Sequence, residues 1–173
     1  TATGLLNGQT TSVLSDVTAS GATGTNAATY TNTVTGTDTN YNLTLVNGSL
    51  VIGKANATVT ANSANVTYTG LAQSVGGFTA TGLVNNETTS VLSGVTASGA
   101  TGTNVATYTN TVTGTDSNYN LTLVNGSLVV GKANATVTAN SLSVTYTGLA
   151  QSVAGFTAAG LVNNQTMGVL TGV

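Results

Sequence analysis

Leu121-Thr122-Leu123-Val124-Asn125-Gly126-Ser127-Leu128-Val129-Val130 is the stretch on which the reading of this chain turns. Leu121, Leu123, Leu128 and Val130 stand at every second position on either side of Asn-Gly. Asn-Gly is the favoured two-residue hairpin turn, because both turn positions take positive φ. A tight turn there would pair Leu123 with Leu128 and Leu121 with Val130, all on one buried face. The expectation is an antiparallel β-hairpin. The same pattern stands 78 residues earlier, with Leu43 and Leu45 before Asn47-Gly48, and Leu50 and Ile52 after it.

That recurrence extends through the chain. Tyr30 returns as Tyr108, Tyr41 as Tyr119, Lys54 as Lys132, Tyr68 as Tyr146 and Phe78 as Phe156. Residues 1–95 align with 79–173 without a gap, and about 80 of the 95 pairs are identical. A fixed period of this length marks a tandem array, in which each repeat is a structural unit. The natural unit runs from Lys54 to Gly131. Residues 1–53 match its closing part, and 132–173 match its opening part. Both ends fall inside a repeat, which reads as an excerpt from a longer array.

Within the unit, strand is favoured over helix. Thr, Val, Gly and Asn dominate, while the strong helix formers Glu, Lys, Arg and Met are nearly missing. Ala57-Thr58-Val59-Thr60-Ala61 alternates small apolar residues with Thr, so one face looks inward. Val66-Thr67-Tyr68-Thr69 follows after a turn at Asn62-Ser63. Ala106 to Thr113 places Tyr108 and Val112 inward and Thr107, Thr109, Thr111 and Thr113 outward. Asn110 then falls on the inner face, where it needs hydrogen-bond partners or marks a bulge. Asn86 reads as the opening of either a short helical turn or an irregular connection. Six or seven strands per repeat are expected, in an antiparallel sheet or small sandwich. The fold class is thus all-β: tandem small antiparallel β domains on a 78-residue repeat, forming an elongated rod. The second strand of the expected hairpin ends at Val130-Gly131-Lys132 and the next repeat's first strand begins within a few residues, at Asn134–Val137, so there is little slack at the junction.

Composition narrows the function. Charged residues make up 3% of the chain, against roughly 25% in ordinary domains. Two lysines do not make a nucleic-acid footprint. No apolar run approaches the roughly 18 residues of a membrane-spanning helix, so this segment is not expected to insert into a membrane. The chain has no Cys, His or Arg, which removes the usual bases, nucleophiles and anion clamps. No catalytic residue, cofactor site or metal site is expected. Asp38 and Asp116 recur in Thr-Asp-Thr/Ser-Asn-Tyr, where Asp normally bonds local backbone rather than a cation. Tyr30, Tyr68, Tyr108 and Tyr146 read as core rather than as carbohydrate-stacking rings, and Tyr41 and Tyr119, in loop-like Asn-Tyr-Asn, are open between the two readings. Asn-X-Ser/Thr occurs at Asn42, Asn47, Asn56, Asn65, Asn86, Asn120, Asn125, Asn134 and Asn164, each a possible glycan attachment point.

The order Lys54-Ala55, Thr58-Val59-Thr60-Ala61, Thr67-Tyr68-Thr69-Gly70, Thr81-Gly82-Leu83-Val84-Asn85, Tyr108-Thr109-Asn110-Thr111-Val112, Asn118-Tyr119-Asn120 and Asn125-Gly126-Ser127-Leu128 resembles the MBG-type repeats of giant bacterial surface and secreted proteins. These are related to the YDG repeats of filamentous-haemagglutinin-like adhesins. The chain departs from the YDG pattern in carrying Thr69 and Thr147 where Asp is common. The resemblance implies an all-β, stalk-like module of an exported protein, secreted or on the bacterial surface, without catalytic residues.

The function expected is a structural stalk or fibre segment of an extracellular adhesin. The alternative is a glycan- or ice-binding module that uses its exposed Thr rows, whose members stand about 6.8 Å apart along a strand. The expected partners are neighbouring repeats of the same chain, or other copies joined head to tail into a filament.

Overall fold

A computed structural model describes residues 1–172. Among the described residues the chain is all-β, with three single-turn 3₁₀ segments, at Thr11–Val13, Thr89–Val91 and Met167–Val169. The first 53 residues hold β1 (Val17–Ala19), β2 (Ala28–Asn32), β3 (Val34–Gly36) and β4 (Gly48–Ile52). The next block holds β5 (Ala55–Ala61), β6 (Ala64–Thr67), β7 (Gln73–Val75), β8 (Phe78–Thr81) and β9 (Val95–Ala97). It continues with β10 (Ala100–Gly102), β11 (Ala106–Asn110), β12 (Val112–Gly114), β13 (Tyr119–Val124) and β14 (Gly126–Gly131). After it come β15 (Thr136–Ala139) and β16 (Phe156–Ala159).

Strands β5 to β14 pair only among themselves among the described residues. They form the sheets β13-β5-β8 and β11-β14-β6 and the pairs β10-β7 and β12-β9. There are ten short strands here where six or seven were expected. The excess arises because extended runs switch sheets. The run from Ala106 is divided at Thr111: β11 pairs antiparallel with β14, whereas β12 pairs with β9. One pairing is parallel: Leu128, Val129, Val130 and Gly131 of β14 lie against Ala64, Asn65, Val66 and Thr67 of β6. The sheet is therefore mixed rather than wholly antiparallel.

The hairpin expected at Asn125-Gly126 is not formed. β13 and β14 belong to different sheets, and neither Asn125 nor Gly126 has positive φ. The Asn125 side chain instead accepts from the Val112 backbone N–H at 3.0 Å. Gly126 lies under the β5–β6 turn, where a Cβ would collide with the carbonyl oxygens of Ala61 and Asn62. The two residue types meet demands of packing, not of turn geometry. Leu128 and Val130 are buried as expected, but Leu121 is half-buried and Leu123 exposed.

Alternation in β5 holds: Ala57, Val59 and Ala61 are buried, while Asn56 and Thr60 face solvent. Ala100, Leu128 and Val130 form a core on which Ala64, Val66, Tyr68, Val75 and Tyr108 pack. Asn110 is wholly buried and fully engaged. Its Oδ1 accepts from Gly99 N–H at 2.9 Å, and its Nδ2 donates to the carbonyl oxygens of Asn62 at 3.0 Å and Gly77 at 3.4 Å. A buried amide satisfied on both ends fixes where β11 stops without a desolvation penalty.

The chain divides into two compact units. One holds Thr1–Asn56 with Asp116–Asn120, and the other holds Ala57–Thr115 with the residues from Leu121 onward.

Candidate functional site

The residues singled out for chemistry are engaged structurally. Asp116 Oδ1 accepts from the backbone N–H groups of Asn118 at 2.7 Å and Tyr119 at 3.0 Å. Asp38 does the same for Asn40 at 2.8 Å and Tyr41 at 3.1 Å. Both are Asx-type turns, as Asp two residues before Asn-Tyr suggests. Lys54 donates from Nζ to the Asp116 carbonyl oxygen at 2.6 Å.

The tyrosines only partly follow expectation. Tyr30, Tyr68 and Tyr108 are half-buried. Tyr108 lies flat on Gly102, where a Cβ would enter its ring, and donates from its hydroxyl to the Asn104 carbonyl oxygen at 3.0 Å. Tyr146 is 91% exposed rather than core, whereas its counterpart Tyr68 packs on the core of Ala100, Leu128 and Val130. Of the two rings open to either reading, Tyr119 is buried. In the first unit its counterpart Tyr41 shows how such a ring is held. Its hydroxyl receives the Leu6 N–H at 3.1 Å and donates to Gln9 Oε1.

All nine sequon asparagines are exposed: Asn42, Asn47, Asn56, Asn65, Asn86, Asn120, Asn125, Asn134 and Asn164. The fold brings together only Asn56 and Asn120, whose side chains meet at 3.4 Å. Asn47 and Asn125 are occupied as acceptors for Val34 and Val112. Asn86 and Asn164 adopt left-handed backbone, with φ of 57° and 55°. Asn86 thus forms a turn ahead of the 3₁₀ segment and does not cap it; the residue at the N-cap is Thr88.

The features that sequence reasoning passed over lie where repeats meet. The Asp116 turn presents Asn118 to the preceding repeat. Asn118 Oδ1 accepts from Ala27 N–H at 2.9 Å, its Nδ2 donates to Asn26 Oδ1 at 3.2 Å, and its carbonyl oxygen accepts from Ala55 N–H at 2.9 Å. One turn thereby holds residues of the previous repeat and, through Lys54 and Ala55, the start of its own repeat. At the next boundary, Asn163 Nδ2 donates to the Gly70 carbonyl oxygen at 3.1 Å, and Gln165 Nε2 donates to the Tyr68 hydroxyl at 2.6 Å. Asn163 and Asn164 are both left-handed, which turns the loop toward Tyr68-Thr69-Gly70. The recurrence of Asn118 as Asn40 was the available signal.

Beside this boundary lies a cleft of about 200 Å³, lined by Val105, Lys132, Ala133, Leu161, Val162 and Gln165 among others. Its lining is mostly apolar, with one cation and one amide, and among the described residues no group of His, Cys, Asp or Glu stands placed to hold a metal.

No curated protein and no solved structure matches the chain. The sequence profile of the MBG domain (YGX type) matches residues 57–129, the greater part of the block from β5 to β14. Residues 57–129 are thus an MBG-type repeat, and residues 1–53 and 132–173 are similar in sequence to its closing and opening parts.

Proposed function

We propose that this chain is a stiff segment of a stalk or fibre in an exported bacterial protein, each repeat acting as a bead that carries a distant binding region outward. MBG repeats are structural modules that occur in extracellular or surface proteins. The observation that carries the reading is the Asn118 turn, which bonds to Asn26 and Ala27 of the preceding repeat and to Ala55 at the start of β5. Two residues, Gly53 and Lys54, separate β4 from β5, and Lys54 is itself bonded. A flexible tether needs free, solvated backbone; here Lys54 and the first residue of β5 are both held by the Asp116–Asn118 turn.

By compactness scaling, a 78-residue bead is about 30 Å across, so each repeat would lengthen the stalk by about that much. The ice- or glycan-binding alternative draws no support from the Thr row. Thr107, Thr109 and Thr113 are exposed, but the row is broken at Thr111, where the strand changes sheets. Small-angle scattering of the chain tests the stalk: an elongated particle is expected, and a compact sphere overturns it.

A further inference from the structure

We propose that Asn125 is a latent deamidation site, closed while its repeat is folded and opened when β14 leaves its place, so that a repeat held open long enough is marked for good. The inference rests on the geometry of the β13–β14 corner and does not depend on the stalk reading.

Asn-Gly is the dipeptide at which a peptide chain most readily attacks itself. The Gly nitrogen, with no Cβ beside it to crowd the approach, gives up its proton and bonds to Cγ of the Asn side chain. The Cγ–Nδ2 bond breaks, and the amide nitrogen takes up a proton and leaves as ammonia. Water then opens the five-membered imide at either carbonyl, giving aspartate or isoaspartate. One water is consumed and one ammonia released, with no oxidant, metal or cofactor. The reaction requires only that the Gly nitrogen can reach Cγ.

The corner denies that approach. β13 and β14 lie in different sheets, and Asn125 is the single residue between them. Its side chain is exposed, so water and ammonia can come and go. The closed side is that of the nucleophile. Gly126 is buried and stands opposite Asn110 in the ladder. It lies so near the Ala61 and Asn62 carbonyls that even a Cβ would collide with them. The residue after it is pinned too, with the Ser127 N–H donating to Ser63 Oγ at 3.0 Å. Across the ladder, the Asn110 amide is bonded to Asn62 and Gly77. The Val112 N–H, 3.0 Å from Asn125 Oδ1, fixes the plane of the amide. That bond alone would draw electrons from Cγ and favour attack, so it is the place of the nitrogen that withholds the reaction. Closing the ring turns the peptide between Asn125 and Gly126 and pulls Gly126 away from Asn110, and the β5–β6 turn leaves it nowhere to go.

Deamidation therefore waits for β14 to open. The chemistry is slow beside opening and closing, so its rate follows the population of the open form. The product then acts on the fold. Isoaspartate carries the main chain through the former side chain, which adds one carbon between β13 and β14. The acceptor no longer faces Val112, and Gly126 falls out of step with Asn110. Aspartate keeps the length of the main chain and keeps an oxygen for the Val112 N–H. One product blocks the return to the folded repeat and the other permits it.

The 173-residue chain, folded or in urea, is aged in mildly alkaline buffer, and conversion of amide to acid is followed by mass spectrometry on the peptide that contains Asn125. Asn125 is expected to react at least about tenfold more slowly in the folded chain than in urea. Asn110→Ala protein that still folds is expected to react faster at Asn125 than folded wild type. Asn-Gly also occurs at Asn7 and Asn47, so chains aged in urea are separated by site and product and returned to buffer singly modified. The aspartyl form at 125, and Asn125→Asp protein made directly, are expected to regain the wild-type melting transition; the isoaspartyl form is not. A folded chain that reacts at Asn125 less than about tenfold more slowly than in urea overturns the proposal, as does an isoaspartyl chain that melts like wild type.

Discussion

The side-chain amide of Asn110 donates to the Asn62 carbonyl oxygen at 3.0 Å from a fully buried position, tying the last residue of β11 to the turn between β5 and β6. Asn110→Ala strands the Gly99 N–H and two carbonyl oxygens, and is expected to cost about 3 kcal/mol. Asn32→Ala, at the half-buried counterpart, loses one bond in a wetter place and should cost about 1 kcal/mol. Urea melts of the two variants check the difference; equal losses would contradict this account of the turn.

Gly126→Ala tests the close approach of β14 to the β5–β6 turn. The colliding groups are backbone carbonyls of Ala61 and Asn62, which have no rotamer to yield. A loss of about 3 kcal/mol is expected, the upper range for overpacking. Thermal unfolding with little or no shift would show that the turn is free to move aside.

Asp116→Ala removes the acceptor for the Asn118 and Tyr119 N–H groups, and about 1–2 kcal/mol of stability should go with it. Because this carboxylate is already bonded by backbone, calcium or a chelator should leave the melting temperature of the unmodified chain where it is. A rise on adding calcium would return Asp116 to the list of ligands.

With two basic and four acidic residues in 173, folding stability should hardly change between low and high concentrations of sodium chloride. Exposed charges this sparse interact weakly and are screened further by salt. Denaturant midpoints at the two ionic strengths measure it, and a large shift would mean that the few charges matter more than their number suggests.

Sequence and structure agree where the deciding forces are local. Alternation in Ala57 to Ala61 placed the buried face of β5, and Asp before Asn-Tyr placed two Asx turns. An Asn on an inner face correctly demanded partners at Asn110. The readings that failed depended on chain far away. Asn125-Gly126 satisfies the composition of a hairpin turn, yet Asn125 is needed by Val112 and Gly126 by Ala61 and Asn62. Tyr119 looks like a loop residue beside two asparagines, and only the rest of the repeat buries it. Tyr146 has the sequence context of Tyr68, yet it is exposed where Tyr68 packs on Ala100, Leu128 and Val130. Junction residues such as Asn118 were visible only as recurrences, since their partners lie on a neighbouring repeat.

The proposed stiffness of the stalk requires that consecutive repeats be held with little play, and the absence of cysteine makes this directly measurable. Thr31→Cys and Thr109→Cys place spin labels at equivalent exposed positions one period apart. Electron–electron distance measurement should give a single narrow distribution centred at about 30 Å, one bead length. A broad distribution, or several distances of comparable weight, would mean that the beads swivel and that the chain is not a stiff stalk.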